Sequence, residues 1–188
     1  MATFGKTTAT DTADSAPNNY LLAGRAVCPS AGTVTQMSWF GYLGANGNMK
    51  VGIYSDDAGT PDDLLAESDA AAVTTVEGWW NFPVSLAVTA ATTYWLAWMS
   101  DKTMHQTIKA DVAGYAYDSD STYPTFETPF PEEGILNWLA AIYATYTPSG
   151  GSIVKKGSNL AFTMTEMLNS KMLFSICNRF PKLTTRRF

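Results

Sequence analysis

Between residues 20 and 147 apolar and polar positions alternate in short runs broken by Gly, Pro, Asn and Asp, and no long stretch repeats at helical spacing. The pattern predicts an all-β chain. The runs are YLLAGRAVC (20–28), TVTQMSWFGY (33–42), MKVGIYS (49–55), WWNFPVSL (79–86), TTYWLAWMS (92–100), TMHQTIKA (103–110) and LAAIYATYT (139–147). Successive side chains of a strand point to opposite faces, so Met37 and Trp39 share one side, opposite Val34, Gln36, Ser38 and Phe40. Tyr94, Leu96 and Trp98 alternate with Trp95, Ala97 and Met99; both faces of that strand are bulky, which places it centrally in a sheet. GANGN (44–48) and SDDAGTPDD (55–63) read as turns, LLAES (64–68) as a brief helical turn, and 116–134, with its three prolines, as a long surface loop. Seven or more short strands with such turns indicate an antiparallel β-sandwich or a jelly roll.

Composition adds an appendage to that domain. The 188 residues, 46% hydrophobic, suffice for one packed domain and a tail. Only 15% are charged, against about 25% in ordinary soluble domains, while 24 are Thr. Such a polar, sparsely charged surface suits an extracellular or virion β-protein. The net charge of -5 is unevenly divided: residues 1–151 hold 5 Lys/Arg and 16 Asp/Glu, a balance of -11, whereas 152–188 hold 7 and 1, a balance of +6. TPSGG (147–151) reads as a flexible junction, which gives a β-domain over 1–147, a linker over 148–151 and a basic, apolar segment over 152–188. A basic tail by itself suggests nucleic acid. This one carries Leu160, Phe162, Met164, Leu168, Leu173, Phe174, Ile176 and Phe180 beside Arg186 and Arg187, too apolar for a solvated arm, and nucleic acid is not an expected partner. The expectation is that it docks in trans on the acidic domain of the next copy, a heterologous contact that propagates into a head-to-tail oligomer or helical filament; docking in cis on its own domain, which leaves a monomer, is the alternative. The longest strongly apolar run, ILNWLAAIYA (135–144), is shorter than the roughly 20 residues a membrane span needs, so none is expected. No signal peptide is visible in MATFGKTTATDTADSAP, and an extracellular or virion location implies another exit, such as cell lysis.

The chain has one histidine, His105, and no phosphate-binding loop, nucleophile elbow, HExxH or CxxC motif. No catalysis and no cofactor are expected. The pairs Asp56/Asp57, Asp62/Asp63, Asp118/Asp120 and Glu132/Glu133 leave two lesser alternatives, a calcium ion in an acidic loop or a hydrolytic carboxylate pair; the simpler assignment is solvated loop charge. Cys28 and Cys177 lie on either side of the junction, and a disulfide between them closes a very long loop worth about 5 kcal/mol in the chain-entropy model. Two buried thiols, or a bond between copies, are the alternatives. Of the six tryptophans, Trp79, Trp80 and Trp138 flank turns or loops; with Tyr115, Tyr117 and Tyr123 they are the candidates for glycan contact, since flat rings stack on pyranose faces. Core or subunit contact competes with that assignment at every one of these positions.

GTVTQMSWFGY, GNMKVGIYSDDAGTPDDLLAES, EGWWNFPVSL and TTYWLAWMSD together resemble the jelly-roll modules of bacterial cell-surface and phage structural proteins, including the choice-of-anchor R type. The resemblance covers residues 4–147 and implies that IYSDDAGTPDDLL is a strand, tight turn and return, with YWLA in the core. It implies a role among virion fibres, adhesins and glycan-binding appendages. The expected function is therefore a non-enzymatic structural subunit that self-assembles with other copies through residues 152–188 into an extracellular fibre or virion appendage. A glycan-binding adhesin or receptor-binding module comes next, and a hydrolase last.

Overall fold

A computed structural model describes residues 1–150, and among these there is no helix. Twelve strands follow in order: β1 (Ala2–Gly5), β2 (Thr12–Ala16), β3 (Leu21–Cys28), β4 (Gly32–Leu43), β5 (Gly47–Asp57), β6 (Thr60–Glu67), β7 (Ala71–Val73), β8 (Gly78–Val88), β9 (Thr92–Ser100), β10 (Met104–Asp118), β11 (Gly134–Ala140) and β12 (Ile142–Pro148). All pair antiparallel, in the order β1-β12-β4-β10-β3-β9-β5-β6, with β8 on β4, β7 on β5, and both β2 and β11 on β10. The all-β expectation holds. The expected assembly residues Leu160, Phe162, Met164, Leu168, Leu173, Phe174, Ile176, Phe180, Arg186 and Arg187, and Cys177, lie outside the described residues.

Strand β10 joins the two halves of the sheet. Its first residues, Met104–Gln106, pair with Leu43–Gly41 of β4, and its last, Tyr115–Asp118, with Gly24–Leu21 of β3. The register breaks between Ala110 and Tyr115, and a strand irregularity of this kind lets the two ends hold different neighbours. β1 lies against β3, and β8 against β5 and β6, although these are far apart in the strand order, so the sheet doubles back on itself. The enclosed core brings Val34, Met37 and Trp39 of β4 and Phe82 and Val84 of β8 onto Val51 and Ile53 of β5 and Leu96 and Trp98 of β9. Burial of such side chains, at about 25 cal/mol per Å² of apolar surface, is the main force holding the layers together.

Strand β9 is central, between β3 and β5, as its two bulky faces require. Tyr94, Leu96 and Trp98 enter the main core, while Trp95, Ala97 and Met99 join a second cluster with Leu21, Ala23 and Tyr54. The connection 119–133 covers that second cluster. Phe126 and Phe130 sit 6% and 5% exposed in it, so the expected surface loop is in fact a packed flap. It is fastened by the Tyr54 hydroxyl donating to the Glu127 carbonyl at 2.7 Å, the Phe130 amide to the Asp62 carbonyl at 2.8 Å and Lys50 Nζ to the Pro124 carbonyl at 3.2 Å.

Three local expectations change. LLAES is strand β6 and the start of its exit, not a helical turn: Ala58 and Gly59, at φ 50° and 98°, make a two-residue hairpin that returns the chain along β5 with Asp57 opposite Thr60. A five-residue apolar run is equally compatible with helix and strand until that register is known. LAAIYATYT divides at Ala141 into β11, paired with β10, and β12, paired with β4. Val34 joins Met37 and Trp39 in the core because the register with β8 shifts between Val34 and Gln36, which cancels the alternation across that step. The ladder also continues one residue past 147, where Pro148 pairs with Gly32, and the Ser149 amide donates to the Ala31 carbonyl at 2.9 Å.

Candidate functional site

Strands β8, β4 and β12 lie side by side, and their sequences GWWNFPVSLAV, GTVTQMSWFGYL and IYATYTP contain no Asp, Glu, Lys or Arg. Phe82, Met37, Trp39, Ile142 and Ala144 enter the core. Alternation puts their neighbours Trp79, Asn81, Gln36, Ser38, Phe40 and Tyr143 on the opposite face. Register then aligns Phe40 with Trp79 and Ser38 with both Asn81 and Tyr143. The half-buried Trp79 ring meets Phe40 edge-on at a centroid distance of 5.3 Å and Tyr143 at 5.0 Å. Beside them Gln36 Nε2 donates to Asn81 Oδ1 at 3.0 Å and to Ser38 Oγ at 3.1 Å, and Ser38 Oγ donates to Asn81 Oδ1 at 2.7 Å. Tyr42 of β4 and His105 of β10 stack at 4.6 Å with ring planes 12° apart, extending the aromatic surface. Fixed rings next to interlocked amides, on an uncharged sheet face, suit a neutral, hydroxyl-rich ligand: rings take its apolar faces and amides its hydroxyls.

A second site is concave. A cavity of about 300 Å³ opens between β2, β3, β10 and β11, lined chiefly by Tyr20, Leu22, Tyr117, Leu136 and Trp138, with Tyr115 as its floor and Asp14 in its wall. Tyr115 is 3% exposed and packs edge-on against Trp98 at 5.7 Å and Trp138 at 5.9 Å. Gln106 links the buried part to the wall: Trp98 Nε1 donates to its Oε1 at 3.0 Å, and its Nε2 donates to the Tyr115 hydroxyl at 2.8 Å and to Asp14 Oδ2 at 3.1 Å. Burial drives the Tyr115 pKa far up; the Gln106 hydrogen bond works against this more weakly and the Asp14 charge adds to it, so the phenol stays protonated. Gly134 pairs with Tyr117 across β10 and β11. A Cβ there would stand 3.1 Å from the Tyr117 ring, so the missing side chain lets that ring lie close over the backbone.

The structure thus separates the six aromatic candidates. Trp79 lies on the uncharged face. Trp80 points the other way, packs on the core and donates its Nε1 to the Gly41 carbonyl at 3.0 Å, as adjacent residues of one strand must diverge. Tyr117 and Trp138 line the cavity. Tyr115 is buried beneath it, which corrects the expectation that it offers a ring to a sugar chain. Tyr123 belongs to the flap, packed on the second cluster, where burial and then the Asp101 charge push its pKa up. Phe40, Tyr42, Tyr143, Gln36 and Asn81 were not singled out from sequence, nor were Tyr20 and Asp14; strand alternation is the signal that finds the first group, and only the tertiary fold finds the second.

Asp56, Asp118 and Glu133 are each engaged within the fold. Asp56 accepts from Trp95 Nε1 at 2.8 Å and the Gly59 amide at 3.2 Å, and pairs with Arg25 Nε at 3.3 Å. Asp118 accepts from the Ser121 hydroxyl, and Glu133 from Ser119 at 2.8 Å. Among the described residues no group of three or more His, Cys, Asp or Glu is placed to hold a metal ion. Nor is any helix there long and apolar enough to cross a membrane. Cys28 is buried and its thiol donates to the Ser30 carbonyl at 3.1 Å; burial raises its pKa and the hydrogen bond works against that rise. A scan against family models and a search of curated proteins found no match for this chain.

Proposed function

We propose that this protein is a non-enzymatic glycan-binding module of an extracellular or virion appendage, built on a jelly-roll domain of the kind carried by cell-surface and phage structural proteins, and that Trp79 is its principal ligand contact. The observation that carries this reading is the charge-free β8-β4-β12 face, where Trp79, Phe40 and Tyr143 stand beside the Gln36–Ser38–Asn81 network. A ligand seated there gains apolar stacking and amide hydrogen bonds without desolvating a charge. Binding to neutral soluble polysaccharides, read by affinity electrophoresis over dextran, galactomannan and a mixed-linkage β-glucan, is expected for at least one of the three. It is expected to change little with salt, because no ion pair contributes. Trp79→Ala should weaken that binding by about tenfold or more, the loss typical of a central aromatic contact, while Trp80→Phe should leave it unchanged. Absence of retardation by every polysaccharide, or an unaltered Trp79→Ala variant, overturns the proposal.

A second reading is favoured by the division of charge, -11 over residues 1–151 against +6 over 152–188. In it the chain is a structural subunit whose C-terminal segment joins it to further copies in a fibre. Opposite charges then set orientation and speed encounter, and apolar side chains supply most of the affinity. Light scattering and electron microscopy should show a polymer for the full chain, formed more slowly in high salt, and a monomer for the chain cut after Gly151. An identical polymer from the shortened chain removes the segment as the connector.

A further inference from the structure

We propose that the cavity between β2, β3, β10 and β11 binds a quaternary ammonium group of the choline type. Such a group is a bulky cation with no N–H to donate, and proteins recognise it by surrounding it with aromatic faces and supplying a nearby negative charge. The cavity has both features. Tyr20, Tyr117 and Trp138 are half-buried in its walls over the Tyr115 floor, and among the described residues Asp14 is its one charged residue. Among the described residues no Lys, Arg or His lines it to repel a cation. Its volume of about 300 Å³ is ample for a trimethylammonium head with part of the chain that bears it.

The walls are set before any ligand arrives. Asp14 is held from below by Gln106, itself 3% exposed and fixed by Trp98. Trp138 is steadied by its edge contact with Tyr115, and Tyr117 by its close approach to Gly134. Tyr20 follows the Asn18–Asn19 turn, where Asn19 adopts φ 66° and its amide donates to the Ser100 carbonyl at 3.0 Å. A preset cage of this kind loses little ordering entropy on binding. A neutral sugar at the same place would use the rings but would gain little from the carboxylate, and that difference makes the two ligands distinguishable.

The probe is choline itself, titrated into the full chain with tryptophan fluorescence as the readout and its uncharged tert-butyl analogue as the comparison. Choline is expected to bind saturably and about tenfold or more tightly than the analogue, the margin that a cation–π cage with a carboxylate supplies. Asp14→Asn retains an oxygen for Gln106 to donate to and is expected to bring choline down to the affinity of the analogue. Trp138→Ala should abolish the response, and Trp79→Ala should leave it intact, so the result stands apart from any polysaccharide binding on the flat face. Phosphatidylcholine vesicles that co-sediment the protein would identify the source as a lipid head group; binding of soluble choline without co-sedimentation points to a small molecule or a choline-decorated polymer. Equal binding of choline and its analogue, an unchanged Asp14→Asn variant, or no saturable response at millimolar choline overturns the proposal.

Discussion

At the residue scale the arrangement of polar atoms around Gln106 is the part of the molecule most sensitive to a single change. Its side chain is buried and serves three partners, accepting from Trp98 Nε1 and donating to the Tyr115 hydroxyl and Asp14. Gln106→Leu preserves bulk but leaves the fully buried Trp98 N–H without its acceptor, and an orphaned buried donor costs about 1–3 kcal/mol. Calorimetry should show a clear fall in Tm for Gln106→Leu and a smaller one for Tyr115→Phe, which removes a hydroxyl and leaves Trp98 satisfied. Equal stability of Gln106→Leu and the native chain would show that the network has no structural weight. Gln106 was not apparent from sequence, because within TMHQTIKA its parity says only that it shares a face with Met104 and Ile108. Trp79 and Trp80, in contrast, diverge for a reason already present in the two-residue period of a strand.

Elements were legible where one face of a strand had to be apolar and illegible where pairing alone held the strand. β3, β5, β8 and β9, and β4 from Met37 onward, carry their core residues at alternate positions, so hydrophobicity announces them. β2, TADSA, has hardly any apolar content; it is a strand because Ala16–Thr12 finds the exposed ladder of Met104–Ile108. Bulges hide for the same reason. The register shifts after Val34 and after Ala110 depend on what the partner strand does, and no property of those residues reports it. The flap shows a further limit. Its three prolines and hydroxyl-rich composition describe a loop correctly, yet Phe126 and Phe130 are drawn down because the outer side of β9 carries Trp95 and Met99 and must be covered. The flat face and the flap consequently lie on opposite sides of the doubled sheet, and a ligand on β8-β4-β12 does not compete with the flap for space.

For the whole molecule, buried phenols and a buried thiol tie stability to alkaline pH. Tyr54 and Tyr115 both have pKa values raised above the ordinary value, in each case mainly by burial, with Glu67 and Glu127 adding to the rise at Tyr54. Cys28 is raised as well, again chiefly by burial. An acid whose pKa is raised by folding keeps its proton in the native state when the unfolded chain has lost it, so the unfolded state binds fewer protons and stability falls as pH rises. The window opens where the unfolded groups ionise, near 8.5–9 for the thiol and about 10 for the phenols, and stability from this source is intact below it. Tyrosinate absorbance and far-ultraviolet circular dichroism, followed together as pH is raised, should therefore show the part of the absorbance change that belongs to Tyr54 and Tyr115 arriving only as the sheet is lost. If every tyrosine ionises in one ordinary transition while the sheet persists, Tyr54 and Tyr115 are not sealed inside the cores, and the close packing of Tyr115 under the cavity, on which the cage depends, is lost with them.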